Sequence, residues 1–134
     1  MSTGAEERSV YDICGRDFFV SLVDAFYDGV ETDSVLMSMY PDGAHTTEAR
    51  HRLSLFFVQY WGGPHDYLEL RGHPMLRMRH GSFAIDAHAR DRWLFHMATA
   101  IEQTMDLIPE HDRESVVQQL ASYVVNAAEH LRNQ

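Results

Sequence analysis

The segment GRDFFVSLVDAFYDGV, residues 15–30, carries the clearest structural signal in the chain. Its apolar residues recur at the spacing of an α-helix and form one continuous stripe: Phe18, Phe19, Leu22, Val23, Phe26 and Val30. A helix with such a stripe buries it against neighbouring elements. We therefore predict a long amphipathic helix that contributes to the core of an all-α domain.

Four further helices are predicted over residues 33–40, 46–61, 86–107 and 110–131. The predicted helix 46–61 ends at the glycine-glycine-proline triplet that follows it, and Pro109 separates the helices 86–107 and 110–131. No repeat and no convincing strand is present. Because the first backbone N–H groups of a helix need acceptors, we assign N-cap roles to Asp33 or Ser34 and to Thr46 or Thr47.

Length and composition limit the class of protein. The 134 residues fit one domain spanning 1–134, with a polar N-terminal extension over 1–9. The net charge of −9 argues against nucleic-acid binding, and the basic residues are all arginines. Cys14 is the lone cysteine, and no signal peptide or membrane-spanning run is evident. We therefore expect a cytoplasmic protein without disulfides or stable membrane insertion.

A histidine occupies an unusual place in LRMRHGSF, residues 76–83. If the segment is helical, Leu76, His80 and Phe83 share one apolar face. The His80 ring is then either a core histidine hydrogen-bonded to a carbonyl or a nitrogen ligand aimed into an apolar pocket. The local pattern leaves both interpretations open.

Several motifs together resemble the group II truncated haemoglobins. They occur in family order: YDICG (11–15), Tyr27, MYPDG (39–43), FFVQYWGGP (56–64), RGHPMLRMRHGSF (71–83) and RDRWL (90–94). The resemblance covers nearly the whole chain, from about Tyr11 to Leu131. It implies a truncated globin fold, which is a two-over-two helical sandwich with a short proximal helix.

The resemblance also implies a haem b cofactor. His80 matches the proximal iron ligand, whose second ring nitrogen would donate to a carbonyl. Arg77 or Arg79 is expected to pair with the haem propionates, and Arg52 is a further candidate. The remaining residues expected at the cofactor are apolar or aromatic: Leu53, Phe83 and Tyr67.

On the opposite side of the iron, the family places Tyr27, Tyr40 and Trp93 around the bound ligand. Hydroxyl and indole donors stabilise the negative charge that oxygen acquires there. Each aromatic taken singly is better explained as core packing than as a ligand contact. Their joint match with His80 favours the ligand pocket, and we expect them to carry its chemistry.

The gate to the pocket is less well defined by the motifs. Ala49 matches the position of the distal histidine of classical globins, with Leu53 one turn further as an apolar lid. Gly15 stands where the family usually has a glycine pair, and the loop after Tyr40 is one residue longer. A shift in the alignment at that loop would place His45 or His51 at the gate instead.

The motifs lead to a functional prediction with two branches. The chain is expected to bind oxygen and nitric oxide at a five-coordinate iron and to act as a nitric oxide dioxygenase or peroxidase-like enzyme with an unidentified reductase. The alternative is reversible oxygen binding for delivery or sensing. A helical adaptor without haem is a third reading, and a homodimer is one option for assembly. A zinc site is disfavoured, because no HExxH motif or cysteine pair is present.

Overall fold

The computed structural model describes residues 8–38, 46–64 and 86–131. These ranges contain helices and turns but no strand. The helices are α1 (Val10–Val30), α2 (Ser34–Met37), α3 (Thr47–Tyr60), α4 (Ala87–Thr104) and α5 (Arg113–Leu131). Short 3-10 turns, Met105–Leu107 and Glu110–Asp112, connect α4 to α5. The prediction of an all-α fold is confirmed.

Helix α1 begins with a capping box. The Asp12 N–H donates to Ser9 Oγ over 3.0 Å, and the Ser9 N–H donates to the Asp12 carboxylate over 3.3 Å. Gly15 lies inside α1 with φ +81°, so the helix kinks at this single glycine. All the apolar residues of the predicted stripe are buried, as the helical spacing required.

Four of the helices form two packed pairs. Helices α1 and α3 form one pair, α4 and α5 form the other, and the pairs meet where α1 packs on α4. The core between them is built from aromatic and aliphatic side chains of all four helices, such as Phe19, Phe57, Met97 and Leu120. This arrangement is the two-over-two sandwich that the family resemblance implies, and it brings three helices to the candidate site.

The glycine pair after α3 allows a close approach to the start of α1. The Tyr11 N–H donates to the carbonyl of Trp61 over 3.0 Å. Gly62 has φ +110°, and a Cβ atom there would lie 2.5 Å from the Cβ of Ser9. At Gly63, a Cβ atom would lie 2.8 Å from the ring of Tyr11 in the first turn of α1. The glycine-glycine-proline triplet that ends α3 therefore also lets the start of α1 pack closely against it.

Arg50 joins α3 to α1. Its guanidinium lies 3.2 Å from Asp24, 3.0 Å from Asp28 and 3.1 Å from Glu31, which are spaced along one face of α1. Its Nε donates to the Thr46 hydroxyl over 2.8 Å. Thr46 stands at the N-cap of α3 but accepts no capping bond, since its hydroxyl donates to Glu31. Thr46 is thus the N-cap residue, as predicted, but its hydroxyl bonds to Glu31, just after α1, and to Arg50, so no side-chain capping bond forms.

Helices α4 and α5 are shorter than predicted where they face each other along the chain, and the connection between them is longer. Asp86 caps α4 by accepting from the Ala89 N–H over 2.9 Å, and the α-helix ends at Thr104. Arg113 then donates to the carbonyls of Met105 and Ile108, each over 3.0 Å. These bonds satisfy carbonyls freed at the end of α4, so the 3-10 turn replaces the predicted last helical turn.

Candidate functional site

Two of the predicted pocket residues meet at one buried ring. Tyr27 of α1 is 5% exposed and lies edge to face with Phe26, with ring centroids 4.9 Å apart. Trp93 of α4 is half-buried and contacts the same Phe26 ring edge to face at 5.9 Å. The packing of α1 against α4 therefore brings the indole to the same Phe26 ring that the phenol contacts. Both groups carry a hydrogen-bond donor at the end of an apolar ring.

Helix α3 adds small and apolar residues. Ala49 and Leu53 lie one turn apart, are half-buried and pack against the core. His51 is exposed on the other side of the helix. This geometry supports Ala49 rather than His51 as the residue facing the pocket. The Tyr27 ring is covered from the α3 side by the Arg50 guanidinium, 5.8 Å from the ring centroid.

Arg52 lies on the outer part of α3. Its guanidinium pairs with the Glu48 carboxylate over 3.1 Å, one turn towards the start of the helix. The Arg52 side chain is 33% exposed and that of Glu48 is 78% exposed. A pair this exposed is weak and readily exchanged for another anion, so Arg52 remains a candidate partner for a propionate.

Six predicted site residues lie outside the described ranges. They include the proposed iron ligand, both arginines beside it and the remaining aromatic residues: Arg77, Arg79, His80, Phe83, Tyr40 and Tyr67. His45, the other candidate for the gate, also lies outside them. Their roles stay predictions.

The histidines within the described ranges divide into two kinds. Four are exposed: His51, His88, His111 and His130. His96 differs from them, since it is 8% exposed in the middle of α4. Its Nε2 lies 2.7 Å from the Asp33 carboxylate, so it is a buried, hydrogen-bonded histidine rather than a free nitrogen ligand.

Asp33 is the partner that sequence reasoning assigned only to a helix cap. Burial by itself raises the pKa of this carboxyl, but hydrogen bonds from Arg92, His96 and the Leu36 amide outweigh it and lower the pKa to about 2. The carboxylate is therefore ionised across the physiological range. The spacing of His96 three residues after Trp93 on the predicted helix was a sequence signal for its burial but not for its partner.

Other chemistries find little support in residues 8–38, 46–64 and 86–131. Burial, with a smaller contribution from Asp112, raises the pKa of Cys14 to about 11, so its thiol stays protonated and is a poor nucleophile. These ranges contain no group of three or more histidine, cysteine or acidic residues arranged to hold a metal ion. None of their helices combines the length and the apolar character needed to cross a membrane.

The residues at the site fit a haem. A porphyrin is a flat apolar ring that needs apolar walls, and a diatomic molecule bound to its iron needs a few hydrogen-bond donors. Ala49 and Leu53 provide half-buried apolar surface on α3, while Tyr27 and Trp93 provide donors from α1 and α4. No charged side chain is among these four. Apolar surface with two hydrogen-bond donors is compatible with a haem that holds a diatomic ligand.

Comparisons with known proteins agree with this chemistry. Residues 9–128 match the model of the bacterial-like globin family. The group 2 truncated hemoglobin YjbI of Bacillus subtilis is 36% identical over 74% of this chain and 74% of its own.

Two solved structures are also similar. A thermostable hemoglobin from Thermobifida fusca is 45% identical, with a TM-score of 0.83 over 94% of this chain and 98% of that one. A truncated oxygen-avid haemoglobin from Bacillus subtilis is 32% identical, with a TM-score of 0.82 over 94% and 100% of the two chains. Since family model, relatives and fold agree, the chain belongs to the bacterial-like globins and is a group II truncated haemoglobin, a haem-based oxygen-binding protein.

Proposed function

We propose that this globin retains oxygen strongly and uses it for redox chemistry, with nitric oxide dioxygenation as the first candidate and peroxide reduction as the second. The observation that carries the proposal is the convergence of Tyr27 and Trp93 on Phe26 from two helices. Donors that stabilise negative charge on oxygen also slow its release. A chain built in this way is better suited to reacting with oxygen than to unloading it.

Haem b, when bound, supplies an iron with one position for a protein nitrogen and one for a diatomic ligand. His80 would hold the iron, and Arg77, Arg79 or Arg52 would hold the propionates by charge-assisted hydrogen bonds. These assignments rest on the motif RGHPMLRMRHGSF and its order in the chain. The exposed Arg52–Glu48 pair supports the availability of Arg52 for this role.

The protein's own contribution on the opposite side is to donate hydrogen bonds and exclude water. The Trp93 indole can only donate, whereas the hydroxyls of Tyr27 and Tyr40 can donate or accept. Ala49 and Leu53 bring no donor and keep the pocket apolar, and the small side chain of Ala49 leaves room for entry. The description of the Bacillus subtilis relative as oxygen-avid is in keeping with strong retention.

The dioxygenation must be supplied with electrons. The overall conversion, NO + O2 + e− → NO3−, takes up one electron per turnover, and the chain has no second redox cofactor in our proposal. A separate reductase is therefore part of the proposed function. A cytoplasmic location and a homodimer remain predictions of the same kind.

The test is to mix the oxygen complex with nitric oxide and to measure nitrate. Rapid, stoichiometric nitrate formation with loss of the oxygen complex is expected. The His80→Gly variant, which should not retain haem, serves as the control for reaction in free solution. Nitrate formed no faster than in that control, together with fast oxygen release, would favour reversible binding for delivery or sensing instead.

A further inference from the structure

Asp33 is a buried carboxylate at the junction of α1 and α2. It is 6% exposed and follows α1 by three residues. Its Oδ1 atom accepts from the backbone N–H of Val35 over 3.0 Å and of Leu36 over 3.4 Å, which starts α2. These bonds hold the carboxylate in one orientation, with Oδ2 turned to another partner.

The Oδ2 atom of Asp33 is hydrogen-bonded to two side chains of α4. Arg92 Nε donates to it over 2.8 Å, and His96 Nε2 lies 2.7 Å from it. The His96 ring occupies a notch in α1 that exists because residue 29 is glycine. A Cβ atom at Gly29 would lie 2.5 Å from His96 Nδ1. The ring is thus fixed by a charged acceptor on one side and a close backbone on another.

This contact lies next to the predicted ligand donors. Gly29 follows Tyr27 by two residues, and His96 follows Trp93 by three, which is about one helical turn. Because a helix moves as a rigid unit, any rotation or sliding of α4 that loosens His96 also displaces Trp93. The same motion would disturb the edge-to-face contact of Trp93 with Phe26.

We infer that Asp33 is a positioning residue for Trp93, acting through Arg92 and His96 to fix α4 against α1 so that the indole N–H is directed to the oxygen pocket. The inference rests on the donor role of Trp93 in the proposed function. Asp33 itself touches neither ligand nor cofactor in this assignment. Its effect is to limit the orientations that the indole can adopt, which preorganises a donor before oxygen arrives.

The variant Asp33→Asn tests this inference with little collateral change. Asparagine is as good an N-cap as aspartate, so the bonds to α2 can remain, while an amide nitrogen in place of Oδ2 cannot accept from Arg92 or His96. The matched control is Asp86→Asn, the same substitution at the N-cap of α4. Arg92→Gln is a milder second variant, since the Arg92 side chain is 40% exposed, and it serves if Asp33→Asn does not fold.

Two measurements on the haem-loaded protein are compared. We expect Asp33→Asn to speed oxygen dissociation by about threefold or more and to raise the C–O stretching frequency of the carbon monoxide complex, as donation weakens. Arg92→Gln should change both in the same direction but less, and Asp86→Asn should change neither. Asp33→Asn should add nothing in a Trp93→Phe background. Unchanged dissociation and stretching frequency, or full additivity with Trp93→Phe, would overturn the inference.

A third measurement separates this inference from the proposed function. With Trp61→Phe as background, Trp93 is the remaining tryptophan, and ultraviolet resonance Raman spectroscopy reports its surroundings in the loaded protein. Asp33→Asn should change that spectrum, and Asp86→Asn should not. If Trp93→Phe leaves oxygen dissociation unchanged, the donor role fails. In that event, an altered Raman spectrum would still support positioning, and an unaltered one would exclude it.

Discussion

Phe26 and Trp93 lie edge to face, with ring centroids 5.9 Å apart and an interplanar angle of 68°. The contact joins the fully buried face of α1 to a half-buried residue of α4. The core covers the indole only in part, and an indole N–H can donate a hydrogen bond to a ligand only if the core does not enclose it. The predictions below test this site, the iron ligand and the packing that supports them.

Trp93→Phe should speed oxygen dissociation by at least about fivefold, since one neutral hydrogen bond is worth about 1 kcal/mol. Phenylalanine keeps the aromatic contact and removes the donor, so the cavity it creates is small. Stopped-flow ligand replacement measures the rate. Trp61→Phe is the matched control, because Trp61 packs against Tyr60 and Tyr123 at 5.0 and 5.5 Å. A wild-type rate for Trp93→Phe would mean that this residue is core packing and that the donors are the tyrosines.

His80→Gly should abolish stable haem retention, because His80 is predicted to form the protein's bond to iron. Added imidazole should restore part of the haem content by occupying the space left by the side chain. The measurement is the Soret absorbance per protein after gel filtration, with and without imidazole. His88→Ala, at an exposed histidine of α4, is the control. A normal oxygen complex in His80→Gly would show that another histidine binds the iron.

Gly62→Ala should destabilise the protein more than Gly15→Ala. Both glycines have positive φ, which costs an alanine about 1–2 kcal/mol. A Cβ at Gly15 meets nothing within 4 Å, whereas one at Gly62 would lie 2.5 Å from the Cβ of Ser9. Thermal unfolding measures the difference, and Ser9→Gly should recover part of the loss in the Gly62→Ala background. Equal losses for the two alanine variants would contradict the close packing of α1 on the end of α3.

Asp33 should contribute to acid sensitivity. Its pKa is lowered from 3.8 to about 2 on folding, so its ionised form stabilises the native state fully above about pH 4, and that stability is lost as pH falls towards 2. Asp33→Asn should cost about 1–3 kcal/mol near neutral pH, because buried donors lose their acceptor. The unfolding free energy of the variant should also fall less steeply between about pH 5 and pH 3. If the unfolding free energies of Asp33→Asn and the wild type change with pH in parallel, the Asp33 carboxylate is not the source of the acid sensitivity.

Helices were predictable from the chain because their signals are local. The apolar stripe of α1, the break at Pro109 and the Asp33 cap each depend on residues within a few positions of one another. The candidate site was predictable in part, through motifs that place Tyr27, Trp93 and His80 in family order. The contact of Tyr27 and Trp93 with one ring agrees with that order.

What could not be read from the chain depends on partners far apart in sequence. The Thr46 hydroxyl bonds to Glu31, 15 residues away, and accepts no backbone N–H of its own helix. His96 is buried against Asp33, 63 residues away, and the residues around His96 in the chain do not indicate this partner. Each pairing exists only after α1 has packed on α3 and α4. The free energy of a buried polar group depends on the partners that packing brings to it, and no local pattern of residues contains that information.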